Sequence, residues 1–258
     1  MPTTKMPALF IGHGGPAAAV AGNDYTAAWA AIARRFPRPR AVVVVSAHWE
    51  CKGVLAIRAE RPRTIHDFYH ADEALYSITY PCPGAPWLAW KLEEMLTPFR
   101  ARADLDSWGL DHGAWTVLRW MYPDADVPVV ALSQDVRRTA AGHYDIGRHL
   151  APLRDDGILI LGSGNVVHNF RAKENDPDGA DGARFNEAVK ARIAARDHAA
   201  LIDHGGLGPE AAIAVPEPEH YQPLLYVLAT QEPDEDAAVI VDGMPAPGIS
   251  MLSVAVGL

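Results

Sequence analysis

The stretch Ala41-Val42-Val43-Val44-Val45-Ser46-Ala47-His48 sets four consecutive valines before two small residues and an imidazole. A short run of branched apolar residues without polar alternation reads as a strand covered on both faces, the kind that builds parallel sheets. The arrangement recurs twice. Ala8-Leu9-Phe10-Ile11 leads through Gly12 to His13, and Ile158-Leu159-Ile160-Leu161 leads through Gly162-Ser163-Gly164 toward His168. In α/β sheets ligands gather beyond the carboxyl ends of strands. Three imidazoles just past three strands therefore point to one crevice, and imidazoles converging beside glycine turns suggest a metal site.

Strand-like segments at 7–11, 41–47, 53–59, 127–133, 157–162, 237–242 and 249–256 alternate with helical spacing at 24–36, 85–96, 112–122, 139–152, 183–198 and 219–230. The alternation predicts one α/β domain over 1–258, with a central mixed, mainly parallel sheet flanked by helices and the site at the strand carboxyl ends. Segments 41–47 and 53–59, like 237–242 and 249–256, are too close in sequence for a helical crossover. Both pairs are expected to be antiparallel. Lys173 to Gly182 reads as an exposed loop.

The 258 residues carry 23 Lys and Arg against 32 Asp and Glu, a net charge of -9. That balance gives no electrostatic footprint for a phosphate backbone, so nucleic acid is not an expected partner. No apolar stretch approaches the ~18 residues that span a bilayer, and no basic-then-apolar leader opens the chain. No membrane partner and a cytoplasmic location are expected. Cys51 and Cys82 are too few for a disulfide framework and read as buried, inert thiols.

Each histidine motif has its own reading. Gly12-His13-Gly14-Gly15-Pro16-Ala17 formally matches a dinucleotide fingerprint, but Pro16 removes an N–H where a pyrophosphate needs one. Gly162 to Asn169 does not spell a nucleophile elbow, so serine hydrolysis is disfavoured and His168 is left to bind metal or move protons. Asp111 is placed to cap a helix whose first turn holds His112, where the positive helix end favours a neutral ring. Glu219 and His220 stand together at another helix start, and either one turns inward. With two histidines a carboxylate gives the facial pattern of Fe(II) oxygenases, whereas an all-histidine set also suits zinc. His66 and His70 are four apart but lack the Glu of a zinc-protease motif. His66 is a pocket-lining candidate, and His70 belongs to the surface. His143, His149, His198 and His204 are expected to be mostly solvated.

Six motifs in order, from Pro7–Gly14 through Ser46–Trp49, Thr64–Phe68, Asp111–Trp115 and Gly162–Asn169 to Pro218–Tyr221, span nearly the whole chain. Together they resemble the 4,5-DOPA extradiol dioxygenase family, within the class III, LigB-like extradiol ring-cleavage dioxygenases. The resemblance implies a metal held by His13, His48 and His220, with His168 as a fourth ligand or as the acid/base beside it. It also implies that His112 contacts the substrate oxygens. One divalent metal per chain is expected, Fe(II) for ring cleavage or Zn(II) as bound, with a small aromatic diol and O2 as partners. The product would be a muconic semialdehyde. Trp49, Trp115, Tyr69 and Tyr221 are candidates for an aromatic pocket wall. Two departures from the family pattern stand out, Gly15 in place of Ser and Tyr69-His70-Ala71-Asp72 after the Asp-Phe pair. The rival readings are a zinc-dependent hydrolase on a similar sheet and a non-catalytic metal-binding protein.

Overall fold

The computed structural model describes residues 4–258. Strands β1 (Ala8–Gly12), β2 (Ala41–Ser46), β3 (Val129–Ala131), β4 (Ile158–Gly164), β5 (Ala237–Val241) and β6 (Ser253–Val256) form one sheet in the order β3-β2-β4-β1-β6-β5. β3, β2, β4 and β1 are parallel, and β6 runs antiparallel to both of its neighbours. The sheet is thus mixed and mainly parallel, as the alternation of segments implies.

Successive side chains on a strand point to opposite faces, and for β1, β2 and β4 both faces are covered. Phe10, Val43, Val45, Ile158 and Ile160 enter one layer with helices α2 (Pro86–Met95), α4 (Ala140–Leu150), α5 (Ala180–Ala194) and α6 (Gln222–Leu228). Leu9, Ile11, Val42, Val44, Leu159 and Leu161 enter the other with α1 (Asp24–Ile32) and α3 (His112–Met121). The four valines are apolar without alternation because each face of β2 meets a helix layer.

The segments at 237–242 and 249–256 pair antiparallel, as their spacing requires. The pairing expected for 53–59 does not form. Leu55–Ile57 instead runs parallel to Arg102–Asp104 in a separate two-stranded sheet. The reason lies in β2, whose two edges are already taken by β3 and β4. A strand inside the sheet has no edge to offer a hairpin partner, so the chain after Ser46 leaves the sheet. The polar segment 173–182 also departs from a plain loop. Asp176 is buried and accepts the N–H groups of Asp181 and Gly182, which starts α5 three residues earlier than the apolar spacing suggests.

Two glycines at the end of β4 bring the start of α6 onto the sheet. A Cβ at Gly162 would lie 2.5 Å from the Pro223 carbonyl oxygen, and one at Gly164 would lie 2.1 Å from that of His220. The approach is locked by the Asn165 N–H, which donates to the His220 carbonyl at 2.9 Å, and by the His13 N–H, which donates to Gly164 at 3.0 Å. Three distant parts of the chain meet there through backbone alone.

At the opposite end of β4, the buried Arg154 side chain ties the chain's beginning to its end. It donates to the Met6 and Thr230 carbonyls and pairs bidentately with Glu235, each contact at 2.7 Å, apart from the 2.9 Å to Thr230. Burial would raise the Glu235 pKa, yet Arg154, the Glu232 N–H and Lys5 hold it down at about 2, against an ordinary 4.5. Because the folded value is the lower one, the stabilisation is present above pH 4.5 and is lost as pH falls toward 2. Glu235→Ala leaves a buried guanidinium unpaired and is expected to cost about 3 kcal/mol at neutral pH. Urea denaturation at a series of pH values should show this deficit shrinking as the medium is acidified.

Candidate metal centre

His13, His48, His112, His168 and His220 come together beyond the carboxyl ends of β1, β2 and β4. His13 follows β1 with its ring almost completely buried, and its Nδ1 lies 3.0 Å from Ser163 Oγ. The single Ser163 hydroxyl hydrogen is already donated to the Gly113 carbonyl at 2.6 Å. The serine oxygen can therefore only accept, so His13 carries its proton on Nδ1 and keeps a lone pair on Nε2. His48 places Nδ1 at 2.8 Å from Asp67 Oδ2, and His220 places Nδ1 at 2.9 Å from Glu219 Oε1. Glu219 Oε1 accepts from His220 Nδ1, which leaves Nε2 as the free nitrogen of that ring, and the Asp67 charge beside His48 Nδ1 favours the same arrangement there.

The three rings lie side by side. His13 Nε2 is 3.2 Å from His48 Nε2, and His220 Nε2 is buried without a hydrogen-bond partner. The ring centroids of His13, His48 and His220 are 5.1, 5.4 and 5.0 Å apart. Nitrogen lone pairs facing one another in a dry site repel, and a divalent cation is the partner that such a set accepts. The residues present thus fit a bound metal. The ring nitrogens of His13, His48 and His112 alone lie within 4.8 Å of one another, as do the ligand atoms of His168, Glu219 and His220.

Asp67 is the hub on the α3 side. Its Oδ2 also lies 3.0 Å from His112 Nδ1, and its Oδ1 accepts the His112 main-chain N–H at 2.8 Å. Asp111 caps α3 by accepting the Ala114 N–H and receives the Ser46 hydroxyl. Gly113 lets the helix press against the rings, because a Cβ there would sit 2.7 Å from Ser46 Oγ, 3.0 Å from His48 Cδ2 and 3.2 Å from His13 Cε1.

Charge follows burial. Desolvation first, and then the neighbouring imidazoles, hold His13 and His220 well below the ordinary histidine range and bring His168 to about 3. For Asp67 burial acts upward, but the hydrogen bonds to His112 and His48 prevail and its pKa falls far below the carboxylate range. For His48 burial acts downward, and the Asp67 hydrogen bond with the Asp111 and Asp67 charges raises it. The same anions would attract a cation at Nε2.

Residues 5–257 match the family described as the catalytic LigB subunit of aromatic ring-opening dioxygenases. The chain belongs to the LigB family. It is similar to a 4,5-DOPA dioxygenase extradiol from Escherichia coli K12, at 45% identity over 100% of this chain and 97% of that one. A 4,5-DOPA dioxygenase extradiol from Beta vulgaris is 32% identical, over 90% of this chain and 89% of that one. The crystal structure of an uncharacterized protein, JW3007, from Escherichia coli K12 superposes with a TM-score of 0.83 at 41% identity, covering 97% and 99% of the two chains. This LigB chain is an extradiol aromatic ring-opening dioxygenase, and enzymes of the family use a metal.

Within this LigB enzyme the Glu219-His220 alternative resolves into a division of labour. His220 turns its ring toward His13 and His48, and Glu219 holds that ring by Nδ1. His168 stacks on His220 with centroids 3.4 Å apart and planes at 9°. His66 does not join the cluster, since its Nε2 donates to the Ile78 carbonyl and its ring packs on Phe68 and Trp115. His70 is exposed.

Several expectations need correction. His143 is fully buried against the Tyr226 hydroxyl, where burial lowers it to about 4. His198 bridges Tyr144 and Gln231, and His204 lies half-buried on Tyr221. Only His149 of that group is exposed. Trp115 and Tyr221 are core residues whose polar atoms are spent on the Ile65 and Leu201 carbonyls, and Trp49 packs into the α1–α3 layer against Trp108. Tyr69 is almost entirely exposed. A cavity of about 750 Å3 lined by Arg34, Arg119 and Trp120 lies at the far end of α3, roughly 13 Å of helix away from His112.

Asp67 is the site residue that sequence reading left without a role; its signal was a carboxylate set directly beside a candidate histidine. Asp67→Asn is expected to weaken Zn(II) affinity by about 10- to 100-fold, measured by competition with a chelator, while circular dichroism stays unchanged. Gly113→Ala favours the helix intrinsically but crowds His13 and His48. Its Zn(II) affinity should fall by at least about tenfold in the same competition assay, and an undiminished affinity would show that the rings do not depend on that contact.

Proposed function

We propose that this dioxygenase opens the ring of a catechol at a carbon–carbon bond next to the diol, with both atoms of O2 entering a muconic semialdehyde. In this reading His13, His48 and His220 hold one divalent metal, and His112 and His168 handle protons. The observation that carries it is the packing of the His13, His48 and His220 rings at centroid distances of 5.0 to 5.4 Å, with their Nδ1 atoms turned to Ser163, Asp67 and Glu219. The names of the relatives, 4,5-DOPA dioxygenase extradiol, support a catechol as substrate class.

Bound Fe(II) supplies the charge that favours a catecholate and the redox capacity that O2 chemistry needs, whereas Zn(II) supplies the charge alone. His168 is held uncharged near neutral pH by burial and by its stacked neighbour His220, which leaves a lone pair on one ring nitrogen. His112 is anchored to Asp67 through its main-chain N–H, and its Nδ1 lies 3.0 Å from the same carboxylate. General acid–base action by such a pair typically contributes ~10²–10⁴ in rate.

His48→Ala is expected to lose the metal, and His112→Ala to keep it while turnover falls by about 10²-fold or more, with elemental analysis and O2 uptake as the readouts. The reverse pattern would exchange the two roles. Oxygen consumption with a catechol should follow anaerobic loading with Fe(II) and not with Zn(II). Silence of the Fe(II) enzyme across a broad catechol panel would remove the reading altogether.

A further inference from the structure

We infer that Phe170 is the apolar surface on which the ring of the aromatic diol rests, against the carbons opposite its two oxygens. The inference rests on the catechol reading above and adds a binding residue to it.

Phe170 is 86% exposed, and among the described residues it is the barest large side chain that is pure hydrocarbon. Other rings left open to water have polar relief. Tyr69 keeps its hydroxyl there, and Trp87 and Trp90 lie beneath the Arg40 and Arg58 guanidiniums at 5.4 and 5.2 Å. Phe170 has neither. The backbone that presents it is pinned on the side of the histidine cluster. The His168 N–H donates to the Ala214 carbonyl at 2.9 Å, and the Asn169 N–H to that of Gly248 at 2.8 Å. The buried Asn169 side chain donates to the Ile213 carbonyl and accepts the Arg171 N–H, both at 2.8 Å. An anchored main chain thus holds a bare ring in water, at a free-energy cost that contact with a bound apolar surface recovers.

Its place says what that surface is. Rings run outward from the metal centre in a series. His220, only 6% exposed, stacks on His168 at 3.4 Å, and His168 meets Phe170 at 4.5 Å with the planes at 73°. His168 is one of the two residues that handle protons in the proposed reaction, so the diol must lie within hydrogen-bond reach of it. A diol with its oxygens toward the clustered nitrogens turns its remaining carbons to the solvent side, where the next ring is Phe170. Contact there is flat and apolar, of the offset or edge-on kind that aromatic pairs favour.

Truncating so exposed a side chain leaves the fold and the metal centre in place. Phe170→Ala should therefore keep parental Zn(II) affinity in competition with a chelator. Zn(II)-loaded enzyme kept anaerobic then allows binding of catechol and of L-DOPA to be read without turnover, by titration calorimetry. Phe170→Ala should weaken both by about tenfold, and Phe170→Trp, which restores a flat ring, should bring both within about threefold of the parent. In the Fe(II) enzyme the loss should fall on KM. Parental affinity for both diols in Phe170→Ala would overturn the inference, as would a loss confined to L-DOPA, which puts the ring against the substituent instead. A lower kcat at parental KM would make Phe170 a support for His168 and overturn it too. Each of these outcomes leaves the catechol reading intact, whereas a parent enzyme that binds neither diol removes both.

Discussion

Three imidazole rings, those of His13, His48 and His220, pack with centroids 5.0 to 5.4 Å apart in a buried pocket. On His13 and His220 the Nδ1 hydrogen is held by Ser163 and Glu219, and His48 sets Nδ1 2.8 Å from Asp67, so His13 Nε2 faces His48 Nε2 at 3.2 Å and His220 Nε2 is left without a partner. The carboxylates matter as much as the rings. They fix the tautomer, lock the orientation and concentrate negative potential beside a cluster that is otherwise neutral. Asp67 extends the same control to His112, so one anion on a loop orients groups from β2 and α3 together.

The fold exists at this point to bring distant backbone close. β1 and β4 are neighbours, which sets His13 beside the Gly162–Gly164 segment, and the absence of a Cβ at Gly164 admits the His220 carbonyl. Any larger residue would push the start of α6 away and carry His220 with it. Gly113 plays the corresponding part on α3, where the helix packs directly on the His13 and His48 rings. Close packing of this kind makes the cluster rigid, which suits a site whose ligands must meet at one point.

The parallel core was legible because β1, β2 and β4 are buried on both faces and therefore lack polar alternation. The placement of His13, His48 and His168 at one end followed from the direction of those strands. Leu55–Ile57 was misassigned to β2 because strand-edge occupancy is a property of the assembled sheet and leaves no mark in local spacing. His143 and His198 were misjudged for a related reason. Their helices look polar in sequence, and the groups that satisfy the rings, Tyr226, Tyr144 and Gln231, arrive from elsewhere in the fold. Asp67 escaped a role on the same ground: a single carboxylate serving two histidines is visible only when β2 and α3 are side by side.

The central claim is that the free nitrogens of His13, His48 and His220 point to a common cation. Nitrogen-15 NMR of histidine-labelled protein, titrated with Zn(II), tests it most directly. The account predicts Nδ1-protonated tautomers for these three rings and a metal-induced shift at Nε2 of each, at one equivalent of metal. A shift at Nδ1 instead, or a His220 ring that ignores the metal, would contradict it.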